Sequence, residues 1–255
     1  MAPNTGDSGS VNQGGAKYFM ASFRVDGITG HMASPNISKE YACLPVCRGD
    51  CTRFTKEANM SPVKPWPVPD RVPGEDRLYG GGLYVDLVPA ATFGINCRKV
   101  LTKYQWSRLS RGLKARVDFT CEFCGMPEVP DRNIYHVTHE RFSYDEKTGI
   151  QRLARFICSC RRCDEFTHFG HALVFGGVPE LILGHALVVR MLNPDDTTTM
   201  EGLEAEAVAA FEVRKRRQSI NWTVDLSILA GTGVPVRAED LILAAPIESG
   251  SVATQ

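Results

Sequence analysis

The chain has 255 residues, 43% of them hydrophobic, and its 29 basic and 29 acidic side chains cancel. Such a chain can bury a sizeable core in one large domain or two small ones. No apolar run approaches the roughly 18 residues of a spanning helix, so a helical membrane protein is excluded.

Nine cysteines, an odd number, accompany an N-terminus without an apolar signal core. A purely disulfide framework is therefore not expected; close cysteine pairs in a soluble intracellular protein point to metal. Residues 1–16 are rich in Gly, Ser and Asn and are expected to be disordered. Residues 17–28, KYFMASFRVDGI, have strand character. Cys43, Cys47 and Cys51 follow a C-x-x-x-C spacing that matches zinc only loosely. They read as core or surface thiols rather than as a site completed by His31. The Pro- and Gly-rich tract 61–82 can be neither helix nor central strand and reads as an arm or linker laid over a surface. Residues 83–89, LYVDLVP, suggest a short strand.

Residues 102–118 predict a helix. Trp106, Leu109 and Leu113 form its apolar stripe, Arg108, Arg111 and Lys114 lie mostly off that stripe, and Thr102 can cap its start. A cysteine-rich unit follows over residues 119–172. Beyond it, PELILGHALVVRML predicts an apolar helix. TTTMEGLEAEAVAAFEVRKRRQ predicts another, with threonine at its start, acids in its early turns and RKRR at its end, as the helix dipole prefers. Residues 221–229, NWTVDLSIL, suggest a last strand, and the chain after about residue 245 is expected to be loose. The organisation expected is an N-terminal arm over 1–82, a zinc-binding domain over 83–229 and a C-terminal tail over 230–255.

Two C-x-x-C pairs carry the clearest chemistry. Cys121 and Cys124 form one, followed by Gly125; Cys160 and Cys163 form the other, 35 residues later. Each turn points two thiolates at one ion, and two turns complete a tetrahedral zinc site. The long gap needs structure of its own, most simply a hairpin. Cys158 is one residue removed from Cys160, a poor ligand spacing, so it is expected beside the site without binding. His136 and His139, three apart on a strand, face opposite sides, so His136 is not expected to be a partner base. His168 and His171 share a helix face. His31 and His185 read as structural.

Overall neutrality hides a local bias. Between Arg98 and Arg162 there are fourteen Lys and Arg against seven acids. An excess of that size on a compact zinc unit suits contact with phosphates.

These residues resemble a bacterial and phage family of HNH-endonuclease-like proteins. The family carries C-x-x-C-G, then H-E-x-W-x-Y-D, then Q-R-L, then C-x-x-C-H-x-x-x-H-x-G. Here the matching residues are Cys121, Cys124 and Gly125; His139, Glu140, Tyr144 and Asp145, with Phe142 in the Trp position; Gln151, Arg152 and Leu153; and Cys160, Cys163, His168 and Gly170. The resemblance covers residues 86–229. It implies an α+β fold around a treble-clef or ββα-metal-like zinc unit, flanked by helices and short strands, with an irregular Pro-rich N-terminal arm. It also implies a structural zinc on the four cysteines, His139 as the base that activates water, and a catalytic ion held from the helix after the second pair. Asp164 stands where the family has histidine. A carboxylate there suits magnesium or manganese, with His168 as the companion ligand.

The leading expectation is thus a metal-dependent DNA endonuclease or nickase in a bacterial cytoplasm, host- or phage-encoded. Arg108, Arg111, Lys114, Arg152 and Arg155 would contact DNA or RNA. The competing expectation is a zinc scaffold without catalysis. It would serve as a nucleic-acid-binding or structural component of a phage or bacterial assembly, with a protein partner docked through the N-terminal arm.

Overall fold

A computed structural model describes residues 63–246, together with the backbone of two earlier strands. The chain divides into two units, Met1–Asn59 and Met60–Gln255. In the first, β1 (Phe19–Val25) and β2 (Ile28–Ser34) pair antiparallel, with Phe19 opposite Ser34 and Val25 opposite Ile28. The strand read at 17–28 is one side of that hairpin. Residues 1–16, Cys43, Cys47, Cys51, the side chain of His31 and everything after 246 lie outside the described residues.

The second unit is mixed α+β. Its sheet has four strands, which lie side by side in chain order. The hairpin of β3 (Val137–Asp145) and β4 (Ile150–Ser159) fills the gap between the two cysteine pairs. The register slips after Arg141, which pairs with Arg155 while Phe142 pairs with Leu153. From Leu153 to Ser159 every residue of β4 is buried, so this strand is covered on both faces. β5 (Thr223–Asp225) runs parallel to β4, and β6 (Ile242–Ala244) antiparallel to β5.

Five α-helices surround the sheet among the described residues. The first, α1 (Lys103–Ala115), forms where its spacing predicts. Thr102 caps it with a full capping box, its hydroxyl accepting from Gln105 N while the Gln105 side chain accepts from Thr102 N. It buries Leu109, Gly112 and Leu113. Beneath it lies the main core, with Cys97, Leu101, Phe142, Leu153, Phe156, Val224, Leu226 and Leu229. The others are α2 (Arg161–Thr167), α3 (Phe169–Val174), α4 (Pro179–Met191) and α5 (Met200–Arg217). In α5, Thr199 accepts from Gly202 N at the start, and Arg216 and Arg217 pair with Glu146 at the end.

Three expectations change. Residues 83–89 are extended, and Leu83, Val85 and Leu87 are buried in alternation, yet they join no sheet. Their backbone bonds go elsewhere: Asp86 N donates to Thr167 O (2.8 Å) and Val85 N to Glu206 Oε1 (3.0 Å). The strand read at 221–229 is only three residues long and gives way to a 3-10 turn over Ser227–Thr232. The segment after 229, read as tail, supplies β6 and buries Val234 and Leu241 in the core. The Pro-rich arm does lie over a surface: Trp66 N donates to Arg108 O (2.9 Å), and Val72 enters the core.

Candidate metal centres

The first centre is built from two turns. Cys121 N donates to Met126 O (2.8 Å), and Gly125 N donates to Cys121 O (2.9 Å). Gly125 holds the left-handed conformation at φ +71°, so the turn closes without strain. Cys160 is the N-cap of α2, and its Sγ accepts from Cys163 N at 3.5 Å. The hairpin brings the two turns together. The sulfurs of Cys121, Cys124, Cys160 and Cys163 all lie within 4.8 Å of one another, with Cys124 and Cys160 3.7 Å apart. A tetrahedron with metal–sulfur bonds of about 2.3 Å has edges near 3.8 Å, so the group can hold one metal ion. Hydrogen bonding from Cys121 first, then from Cys160 and Cys163, pulls the Cys124 thiol well below its ordinary value.

Cys158 is not in the group. It is buried, and burial pushes its thiol up to about 12. Its backbone N donates to Glu122 Oε2 at 2.7 Å, and the other Glu122 oxygen accepts from Arg155 at 2.7 Å. Glu122, between the first two cysteines, thus braces β4; no sequence signal marked it.

The second centre gathers His139, Asp164 and His168, one ligand atom of each lying within 4.8 Å of the others. His139 comes from β3, Asp164 from the first turn of α2 and His168 from the junction of α2 and α3. His139 Nδ1 is 3.2 Å from Asp164 Oδ1, and His168 Nε2 is 3.8 Å from the same oxygen. The two imidazole centroids are 4.7 Å apart. Burial pushes His168 down to about 4, with the charge of His139 adding to it. The imidazole therefore stays neutral near pH 7, as a ligand must. Burial alone would raise the Asp164 carboxyl, but the hydrogen bond from His139 and the nearby imidazoles hold it below its ordinary value. His139 Nε2 is buried and has no hydrogen-bond partner among the described residues. A buried histidine nitrogen left without a partner is the kind of group that a metal ion or an ordered water satisfies. Two histidines and one carboxylate fit a divalent ion with open positions.

His136 and His171 stay apart from this group. His136 Nε2 bonds Met126 O at 2.7 Å, and His171 stacks between Phe175 (4.4 Å) and Phe93 (6.2 Å). The residues read as phosphate contacts are spread and mostly engaged. Lys114 is nearly buried on Glu128 (2.6 Å), and Arg155 is buried on Glu122. Arg108 donates to Lys64 O (2.9 Å) and covers the Trp66 ring. Arg152 pairs with Asp225 (2.8 Å) but keeps 61% of its side chain exposed. Arg111 is exposed, 5.6 Å from the Phe119 ring.

Two further groups escaped the sequence reading. Arg141 is wholly buried between Asp86 (3.3 Å) and the ring of Tyr84 (4.1 Å). His185 on α4 reaches the cysteine group, its Nε2 lying 3.3 Å from Cys163 Sγ. The only signal for it was a histidine in the middle of an apolar helix. No family model, curated protein or solved structure matches the chain.

Proposed function

We propose that the protein is a metal-dependent phosphodiesterase acting on nucleic acid, built on a structural zinc. The convergence of His139, Asp164 and His168 carries this reading, because two imidazoles and a carboxylate with ligand atoms within 4.8 Å of one another could hold a metal ion. Cys121, Cys124, Cys160 and Cys163 hold the zinc and thereby fix α2 against the hairpin. His139, Asp164 and His168 hold the second ion, for which the carboxylate favours magnesium or manganese. Bound there, such an ion lowers the pKa of a water and neutralises charge on a phosphate. The side chain of His139 is only 1% exposed and its Nδ1 faces Asp164. We therefore assign it as a ligand, in place of the water-activating base that the resemblance implies. Asp164 orients both imidazoles, and half-buried His168 borders solvent.

The second reading, a scaffold without catalysis, draws on the intramolecular engagement of Lys114 and Arg155. Nicking of supercoiled plasmid separates the two. The wild type should nick with magnesium or manganese, and Asp164→Ala should lose more than about 100-fold, since even outer partners of a ligand are worth 10–100-fold. Both proteins should contain one zinc per chain, kept by Cys158→Ser and lost by Cys163→Ser. A wild type that holds zinc but nicks with no divalent ion would leave the scaffold reading.

A further inference from the structure

Helix α4 buries Ile182, Leu183, Ala186 and Val189. His185 lies among Ile182, Ala186 and Val189 on that face, by the i, i+3, i+4 geometry of a helix. It is the polar side chain of an otherwise apolar stripe, and α4 packs on α2. There its Nε2 is 3.3 Å from Cys163 Sγ and 3.8 Å from Cys160 Sγ. Among the described residues this nitrogen meets no carbonyl or carboxylate; its neighbours are the two sulfurs.

We propose that His185 is an outer partner of the zinc centre, its Nε2–H donating to the thiolate of Cys163 and more weakly to that of Cys160. This rests on the zinc reading of the four cysteines. The physical reason is charge. Four thiolates around one divalent ion leave a net charge of about −2, and a half-buried site must supply donors for it. Cys163 N supplies one, to Cys160 Sγ. Cys163 is wholly buried, and among the described residues no backbone N–H donates to its sulfur. His185 supplies that donor from a second helix. It acts as a positioning residue: it fixes Cys163 Sγ against the ion and ties α4 to α2 through the centre. Metal retention and the docking of α4 are therefore coupled.

The test compares the full-length zinc-loaded protein with His185→Leu, which keeps bulk but no donor, and His185→Gln, which keeps a side-chain N–H. Zinc transfer to a chromogenic chelator reads affinity. His185→Leu should bind zinc 10–100-fold more weakly, and His185→Gln should recover part of that loss. Cobalt in place of zinc should show a shifted thiolate charge-transfer band in His185→Leu, with four sulfur ligands retained. Equal affinity of His185→Leu and wild type overturns the proposal. So does a His185→Gln variant as weak as His185→Leu, which would make the role one of packing. A wild-type cobalt spectrum with one nitrogen ligand also overturns it, because His185 would then bind the ion itself. Should His185→Leu not fold, nitrogen NMR of the wild type decides: a protonated Nε2 at His185 supports the donor, an unprotonated one sinks it. Wild-type protein without zinc would instead overturn the underlying zinc reading, and elemental analysis distinguishes that failure.

Discussion

Glu75 shows how much one side chain from the Pro-rich arm can hold. Its two oxygens take a paired contact from Arg116, at 2.6 and 3.0 Å, and one of them also accepts from Phe156 N at 3.1 Å. Both side chains are almost wholly buried, at 1% and 5% exposure. A buried pair of this kind is expensive to form but more expensive to break, since the survivor keeps an uncompensated charge. Glu75→Ala should therefore destabilise the fold by about 3–5 kcal/mol, measured by urea unfolding. The double change Glu75→Ala with Arg116→Met should recover much of that loss. Such pairs were invisible in the sequence, where Glu75 and Arg116 stand 41 residues apart and neither belongs to a motif. Arg141 was hidden for the same reason. The cysteines were legible because a thiolate pair declares its geometry within four residues. His139, Asp164 and His168 were legible only through resemblance, as no local rule joins a strand residue to a helix start 25 residues later.

Among the elements, α1 followed from its sequence because cap, stripe and length all agree. Gly112 within it breaks the rule, since alanine would favour the helix by about 1 kcal/mol. The structure gives the reason: a methyl there would collide with the backbone carbonyl of Trp66 and press on Val68. Gly112→Ala should therefore lower stability by about 1–3 kcal/mol, as overpacking does, and a thermal melt reads the sign. If the variant is more stable, the arm does not lie on α1 as described. Residues 83–89 misled because alternation of Leu83, Val85 and Leu87 reports one buried side, which a strap over helices needs as much as a strand does. The last strand, β6, was missed because three residues with two exposed side chains carry too little pattern.

On the scale of the whole molecule, the basic excess between Arg98 and Arg162 is not a free cationic surface. Much of it is drawn inward, with Lys114 on Glu128, Arg116 on Glu75, Arg141 on Asp86 and Arg155 on Glu122. Counting charges along a sequence cannot see this, since each acid lies in another element. If the protein binds nucleic acid, the salt dependence sorts these groups. Arg111→Ala should reduce the slope of log affinity against log salt by about 0.9, the share of one phosphate contact. Arg155→Ala should leave the slope unchanged while lowering stability. The opposite pattern would mean that the buried pairs open on binding.

Helix α2 links the two centres at single-residue resolution. Cys163 faces the sulfur group and Asp164, the next residue, faces the imidazoles. Less than two turns of helix thus work as an indexed shaft, on which angular phase rather than distance sets which cluster each side chain joins. One extra alanine between Cys163 and Asp164 would advance everything after it by about 100°. The four sulfurs would keep their places, while Asp164 and His168 would swing away from His139. Such an insertion should retain zinc in full and lose the binding of manganese at the second centre, read by paramagnetic resonance of the added ion.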